Sequence, residues 1–81
     1  MTFGGGEVSL LSIEAPPHWV GRMVKHITVP GEVSVVAMTR QGQAMIPTSG
    51  TEFRPGDLIH LAVLASAMER LETLLGVGEG V

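Results

Sequence analysis

The chain has 81 residues, no cysteine, five basic and eight acidic residues, and a formal net charge of −3. This length makes one domain, the missing thiols exclude disulfides and thiolate metal sites, and basic residues scattered as Arg22, Lys25, Arg40, Arg54 and Arg70 argue against nucleic-acid binding, which favours a clustered positive face. Only 16% of residues are charged against 44% apolar, less than the ~25% charged of ordinary domains, so a lone copy is expected to expose apolar surface that a second copy would cover.

Residues 1–7 contain Gly4-Gly5-Gly6 and read as a flexible leader. They lack the basic and apolar regions of a signal peptide. Val8 to Ile13 is the first predicted strand. Val8, Leu10 and Ser12 point one way and Ser9, Leu11 and Ile13 the other. Both faces are largely apolar, the pattern of a strand covered on both sides. Ala15-Pro16-Pro17 stops it, because proline donates no ladder hydrogen bond. His18 to Ile27 is predicted helical, with Val20, Met23, Val24 and Ile27 forming one apolar stripe. Pro30-Gly31 ends that segment.

Val33 to Thr39 is the second strand, rich in β-branched residues. Val33, Val35 and Ala37 share one face; Ser34, Val36 and Met38 share the other. Gln41-Gly42 suits a tight hairpin, from which Gln43 to Pro47 returns antiparallel. Thr48 to Asp57 is a polar loop punctuated by Gly50, Pro55 and Gly56. Leu58 to Leu64 is the last strand, with Ile59, Leu61 and Val63 on one face. Ser66 and Glu69 have the spacing of a capping box. Met68, Leu71, Leu74 and Leu75 then form the stripe of a final helix, and Gly76 stands where a left-handed C-cap is wanted. Residues 77–81 read as a frayed tail. The expected fold is α+β, a small, largely antiparallel sheet with two helices in the order β-α-β-β-β-α. The longest uninterrupted apolar run, Leu61 to Ala65, falls far short of the ~20 residues of a membrane helix.

Catalysis needs a positioned nucleophile, base or metal. No such set stands out, and no enzyme is expected. His18, His26 and His60 are too dispersed for the three or four convergent ligands of a zinc site, so no metal is assigned. Asp57 reads as a turn residue that satisfies backbone donors. Arg40 reads as a solvated strand end. Trp19 reads either as a packing anchor or as an interface aromatic.

The run Val35-Val36-Ala37-Met38-Thr39-Arg40-Gln41-Gly42, the turn Phe53-Arg54-Pro55-Gly56-Asp57 feeding a strand, and the flanking Val20-Gly21-Arg22, Pro30-Gly31-Glu32 and Pro47 together resemble the TrkA C-terminal domain family. This domain is also called the C-lobe of RCK proteins, regulators of potassium conductance. The resemblance covers Val8 to Gly76. It implies a regulatory domain of a potassium transport subunit, cytoplasmic and peripheral to the membrane. Its implied partners are a second copy, an upstream nucleotide-binding lobe, and a membrane potassium transporter or antiporter. No cofactor is implied within this chain, but some members hold a small nucleotide, notably c-di-AMP, in a cleft between two copies. Carried onto this sequence, that cleft would use His26, Ile27, Val29, Ser34, Val35 and Pro47. Dinucleotide-binding members place Asp-x-Arg just after the first helix, where this chain reads His26-Ile27-Thr28; Arg22, Lys25 or a protonated His26 are the available substitutes. The alternative is a purely structural dimerisation module without ligand.

Overall fold

The computed structural model describes residues 2–76. Five antiparallel strands form one sheet: β1 (Thr2–Phe3), β2 (Val8–Glu14), β3 (Val33–Arg40), β4 (Gln43–Met45) and β5 (Leu58–Leu64), in the spatial order β1-β2-β5-β3-β4. Two helices, α1 (Val24–Ile27) and α2 (Met68–Leu75), accompany them. The α+β order expected from the sequence is therefore the observed one, with the short strand β1 added.

Strand β5 is central, paired along nearly its whole length on both edges. It pairs with β2 from Val8↔Leu64 to Glu14↔Leu58, and with β3 from Val33↔Val63 to Thr39↔Leu58. Its alternation then sorts the side chains. Ile59, Leu61 and Val63 are fully buried, while Leu58, His60, Ala62 and Leu64 lie on the opposite face. Trp19, Val24, Ile27, Phe53, Ala67 and Leu71 complete one core with the first set. The helices and the Phe53 loop thus cover one side of the sheet. Among the described residues, no helix covers the other side, so β2 is not covered on both faces as its composition suggested.

Five further expectations are corrected. First, residues 2–7 are not a free leader. Thr2 pairs with Ser9 and Phe3 with Val8, across a glycine turn. Second, His18 to Ile27 is not one helix. Pro17–Trp19 form a single 3-10 turn, Gly21 adopts φ 87°, and only Val24–Ile27 is helical. Tertiary bonds outcompete helical ones here: Gly21 N–H donates to the Phe53 carbonyl, and Phe53 N–H donates to the Arg22 carbonyl. The first N–H groups of α1, which no helix satisfies internally, donate to the Thr51 and Ser49 carbonyls.

Third, Met38 is on the Val33 face and fully buried. The ladder skips a residue between Val35↔Leu61 and Ala37↔His60. This bulge at Val36 reverses the alternation, brings Met38 opposite Ile59 and leaves Val36 40% exposed. Fourth, Ser66 and Glu69 do not cap α2. Ser66 lies inside a 3-10 turn, Ala65–Ala67, and Ala67 takes the N-cap position without a side-chain bond. The stripe itself holds, with Leu71 buried and Met68, Leu74 and Leu75 packed against the core, and Gly76 ends the helix at φ 81°. Fifth, strand β4 stops at Met45, two residues early, and Ile46 is 84% exposed. The expected tail, 77–81, lies outside the described residues.

Candidate functional site

The six residues expected to line a cleft are drawn from two sides of the molecule. Ile27 is wholly buried in the core, and Val29 and Val35 pack against the same cluster. Val29 is held beside the start of β3 by two backbone bonds with Val33, each 2.9 Å. Ser34, paired with Ala62, points from the uncovered side of the sheet. His26 is exposed, and its Nδ1 accepts the Met23 N–H at 3.0 Å, which ties the ring to the start of α1. Pro47 is half-buried at the exit of β4, two residues before the Ser49 carbonyl that receives Lys25 N–H. Ile27, Val29 and Val35 thus come together, and Ser34 and His26 do not join them.

The surface near Ser34 is shallow. A depression of about 160 Å³ is lined by Val8, Gly31–Ser34 and Ala62–Leu64. Beside it, an open groove of about 430 Å³ runs along α2 from Glu32 to Thr73. Glu32 borders both, paired with Arg70 at 3.5 Å. Its carboxylate makes either hollow less favourable for a phosphate.

Strand β4 pairs with β3 only through Met38, Thr39 and Arg40. Among the described residues, the first half of β3 therefore has no strand on its outer side beyond the single Val29 bridge. An edge of this kind accepts another chain.

Two networks were not foreseen from the sequence. On the uncovered face, His60 joins three strands: its Nδ1 lies 2.8 Å from Ser12 Oγ and its Nε2 3.0 Å from Thr39 Oγ1. Each hydroxyl can donate or accept, so both ring nitrogens are satisfied in either tautomer. A serine–histidine contact of this length suits a nucleophile and its base. A threonine hydroxyl, rather than a carboxylate, holds the far nitrogen, and such pairs need an orienting anion to stabilise the imidazolium. At the other end, the Leu74 carbonyl, an orphan of the α2 C-terminus, accepts two bonds of 2.8 Å, from Trp19 Nε1–H and from His18 Nε2. That contact identifies His18 Nε2 as the protonated nitrogen. Trp19 is fully buried and tilted against Phe53 with ring centres 5.4 Å apart, so it is a packing anchor. The only advance signal of the His60 network was a polar residue within each of the three strands, and the register that joins them is non-local.

Arg40 is not a solvated strand end. Its guanidinium grips Asp57, the sole buried charged side chain among the described residues. Asp57 also accepts Arg54 N–H at 2.9 Å, the turn role expected of it. Among the described residues, no three His, Cys, Asp or Glu side chains converge as a metal site would require, and no helix is long and apolar enough to cross a membrane.

These features define a two-layer α+β domain of order β-α-β-β-β-α, with its helices on one side. The chain belongs to the TrkA-C domain family, whose model matches residues 8–76. It is 29% identical over 73 residues to the Trk system potassium uptake protein TrkA of Streptomyces coelicolor, which spans 90% of this chain but 33% of that protein. The chain therefore corresponds to about a third of that relative's length. Its fold is shared with the RCK C domain of the potassium transport protein KtrA, solved in complex with c-di-AMP (TM-score 0.69, 17% identity, 84% of each chain). It is also shared with an RCK domain solved with the ligand cda (TM-score 0.64, 18% identity, covering 80% of this chain and 94% of that one). The family is one of potassium transport regulators.

Proposed function

We propose that this chain is a regulatory, self-pairing domain of a TrkA-type potassium transport subunit. The observation that carries the reading is family membership across residues 8–76, supported by a fold shared with a potassium-regulator domain bound to c-di-AMP. In this reading the domain works in the cytoplasm. It pairs with a second copy and is joined to an upstream nucleotide-binding lobe, which acts on a membrane potassium transporter or antiporter. A small nucleotide such as c-di-AMP sits in a cleft between the copies. His26, Val29, Ser34, Val35 and Pro47 contribute to that cleft, with Ile27 as its buried support. The ligand acts by population shift: it favours one spacing of the two copies only as far as it binds that spacing more tightly.

A second reading, a dimerisation module without ligand, has its own support. The Asp-x-Arg fork is replaced by His26-Ile27-Thr28, so no bidentate phosphate grip is present there. The depression at Ser34 holds about 160 Å³, below the ~300 Å³ at which small-molecule sites begin.

Calorimetric titration with c-di-AMP, using ATP and NAD as controls, separates the two. Saturable binding at one ligand per two chains supports the sensor. No heat, on a sample shown to be dimeric, leaves the structural module as the function.

A further inference from the structure

Arg40 does more than neutralise Asp57. Its Nη2 carries two hydrogens. One goes to Asp57 Oδ2 at 2.7 Å and the other to the Glu52 carbonyl at 2.9 Å, while Nε holds Asp57 Oδ1 at 2.8 Å. Two bonds to one carboxylate fix the plane of the guanidinium, and the fixed plane aims the remaining hydrogen at Glu52. Among the described residues, this is the one hydrogen bond by which the sheet holds the backbone of 48–53.

Residues 49–53 in turn run beside 21–25 as an irregular ladder. Lys25 N–H donates to Ser49 at 3.0 Å, Val24 N–H to Thr51 at 2.9 Å and Gly21 N–H to Phe53 at 3.0 Å, and Phe53 N–H donates back to Arg22 at 2.9 Å. Met23 bridges Glu52 at the centre. A turn closed between Thr48 and Thr51 keeps the loop compact. Val24 and Ile27 seat α1 in the core, but the bonds that orient its start come from this loop.

Resting on the reading of a ligand cleft, we propose that Arg40 is a positioning residue for that cleft. It joins the three elements that carry the cleft residues: β3 with Ser34 and Val35, the loop entered through Pro47, and α1 with His26. A guanidinium fixed at the end of β3 sets the loop, the loop sets the start of α1, and His26 and Pro47 take their places relative to β3. A merely structural ion pair would act otherwise. It would stabilise the fold as a whole and leave the ladder between loop and α1 as firm as before wherever the fold is intact. Arg40→Lys separates the two roles. Lysine keeps a cation opposite Asp57 but is a point charge without the fork, so it does not hold both carboxylate oxygens and the Glu52 carbonyl in one plane.

Amide hydrogen exchange followed by NMR on the full chain tests this, beside calorimetric titration with c-di-AMP. In Arg40→Lys, the Val24, Lys25 and Phe53 amides are expected to exchange at least about tenfold faster, the factor for losing a hydrogen bond to a charged group. They should accelerate more than the amides of the β2–β5 ladder, which report global opening. The affinity of the variant for c-di-AMP is expected to fall about fivefold or more. Acceleration confined to the ladder amides, or none at all, overturns the positioning role. So does a variant that binds c-di-AMP as tightly as the parent, a result that leaves the ligand reading intact. A parent that takes no c-di-AMP overturns the ligand reading, and Arg40 then stands or falls on the exchange pattern. If Arg40→Lys does not fold, the parent decides: a fixed fork gives the two Nη2 hydrogens of Arg40 separate NMR signals, and one averaged signal overturns it.

Discussion

The Arg40 guanidinium closes on the Asp57 carboxylate through two parallel bonds, Nε to Oδ1 at 2.8 Å and Nη2 to Oδ2 at 2.7 Å. The same Nη2 donates to the Glu52 carbonyl at 2.9 Å, and Asp57 Oδ2 accepts Arg54 N–H. One ion pair thus ties the end of β3, the 48–57 loop and the turn before β5. The loop carries the carbonyls that finish α1. The pair therefore positions both sides of the β3 edge.

Arg40 keeps 20% of its side chain exposed, so Asp57→Asn leaves a partly solvated charge and is expected to cost about 1.5–3 kcal/mol, the scale of hydrogen bonds to a charged group and a large share of a small domain's stability. Urea unfolding at neutral pH reads the loss. An unchanged midpoint would mean that Arg40 and the loop find other partners.

The same pair sets the acid limb of stability. Hydrogen bonds from Arg40 hold the Asp57 carboxyl below its ordinary range; burial opposes them, and Arg54 N–H and the nearby cationic charges add to the lowering. Because the folded value lies below the unfolded one, the contribution is complete above about pH 4 and is lost as pH falls through the folded value. Urea midpoints at pH 7 and pH 3 should differ, and the difference should shrink in Asp57→Asn. An equal drop in parent and variant would assign the acid limb to other groups.

Trp19 joins the 3-10 turn to the last helix through Leu74. Trp19→Phe keeps an aromatic plug but removes the indole donor, an expected loss of about 1–2 kcal/mol. Trp19→Ala should cost about 3–5 kcal/mol. In the parent, the single tryptophan should emit at short wavelength and resist iodide quenching until unfolding. Ready quenching in the native state would contradict its burial.

Gly21 distinguishes the observed backbone from the helix first expected. In a helix, Gly21→Ala would stabilise by up to about 1 kcal/mol. At φ 87°, with open space around the added methyl, only the backbone penalty acts, and the same substitution should destabilise by about 1–2 kcal/mol. Thermal unfolding gives the sign.

Gln41 is the one non-glycine residue at positive φ among the described residues (51°), followed by Gly42 at 79°. Two successive positive values make the hairpin turn that favours Asn-Gly. Gln41→Asn should raise stability by a few tenths to about 1 kcal/mol, read as a higher melting temperature.

Much of the fold was legible in the chain because it is encoded locally. The period-2 apolar run of Leu58–Leu64, the glycine hairpin at Gln41-Gly42 and the Met68–Leu71–Leu75 stripe each follow from residues within one element. The sequence by itself therefore determined the order of elements, the turns between most of them and, through the hairpin and the Arg54–Asp57 turn, the family resemblance. Tertiary structure decided the rest. Arg40 meets Asp57 across 17 positions and Ser12 meets His60 across 48, and no local pattern specifies such partners. The bulge at Val36 depends on the β5 register, and the break at Gly21 on bonds to Phe53. Which side of the sheet stays uncovered depends on where α1 and α2 pack. Strand alternation marks two faces, but only the docking of helices chooses between them, because burial is a property of the assembled layers and not of any one segment.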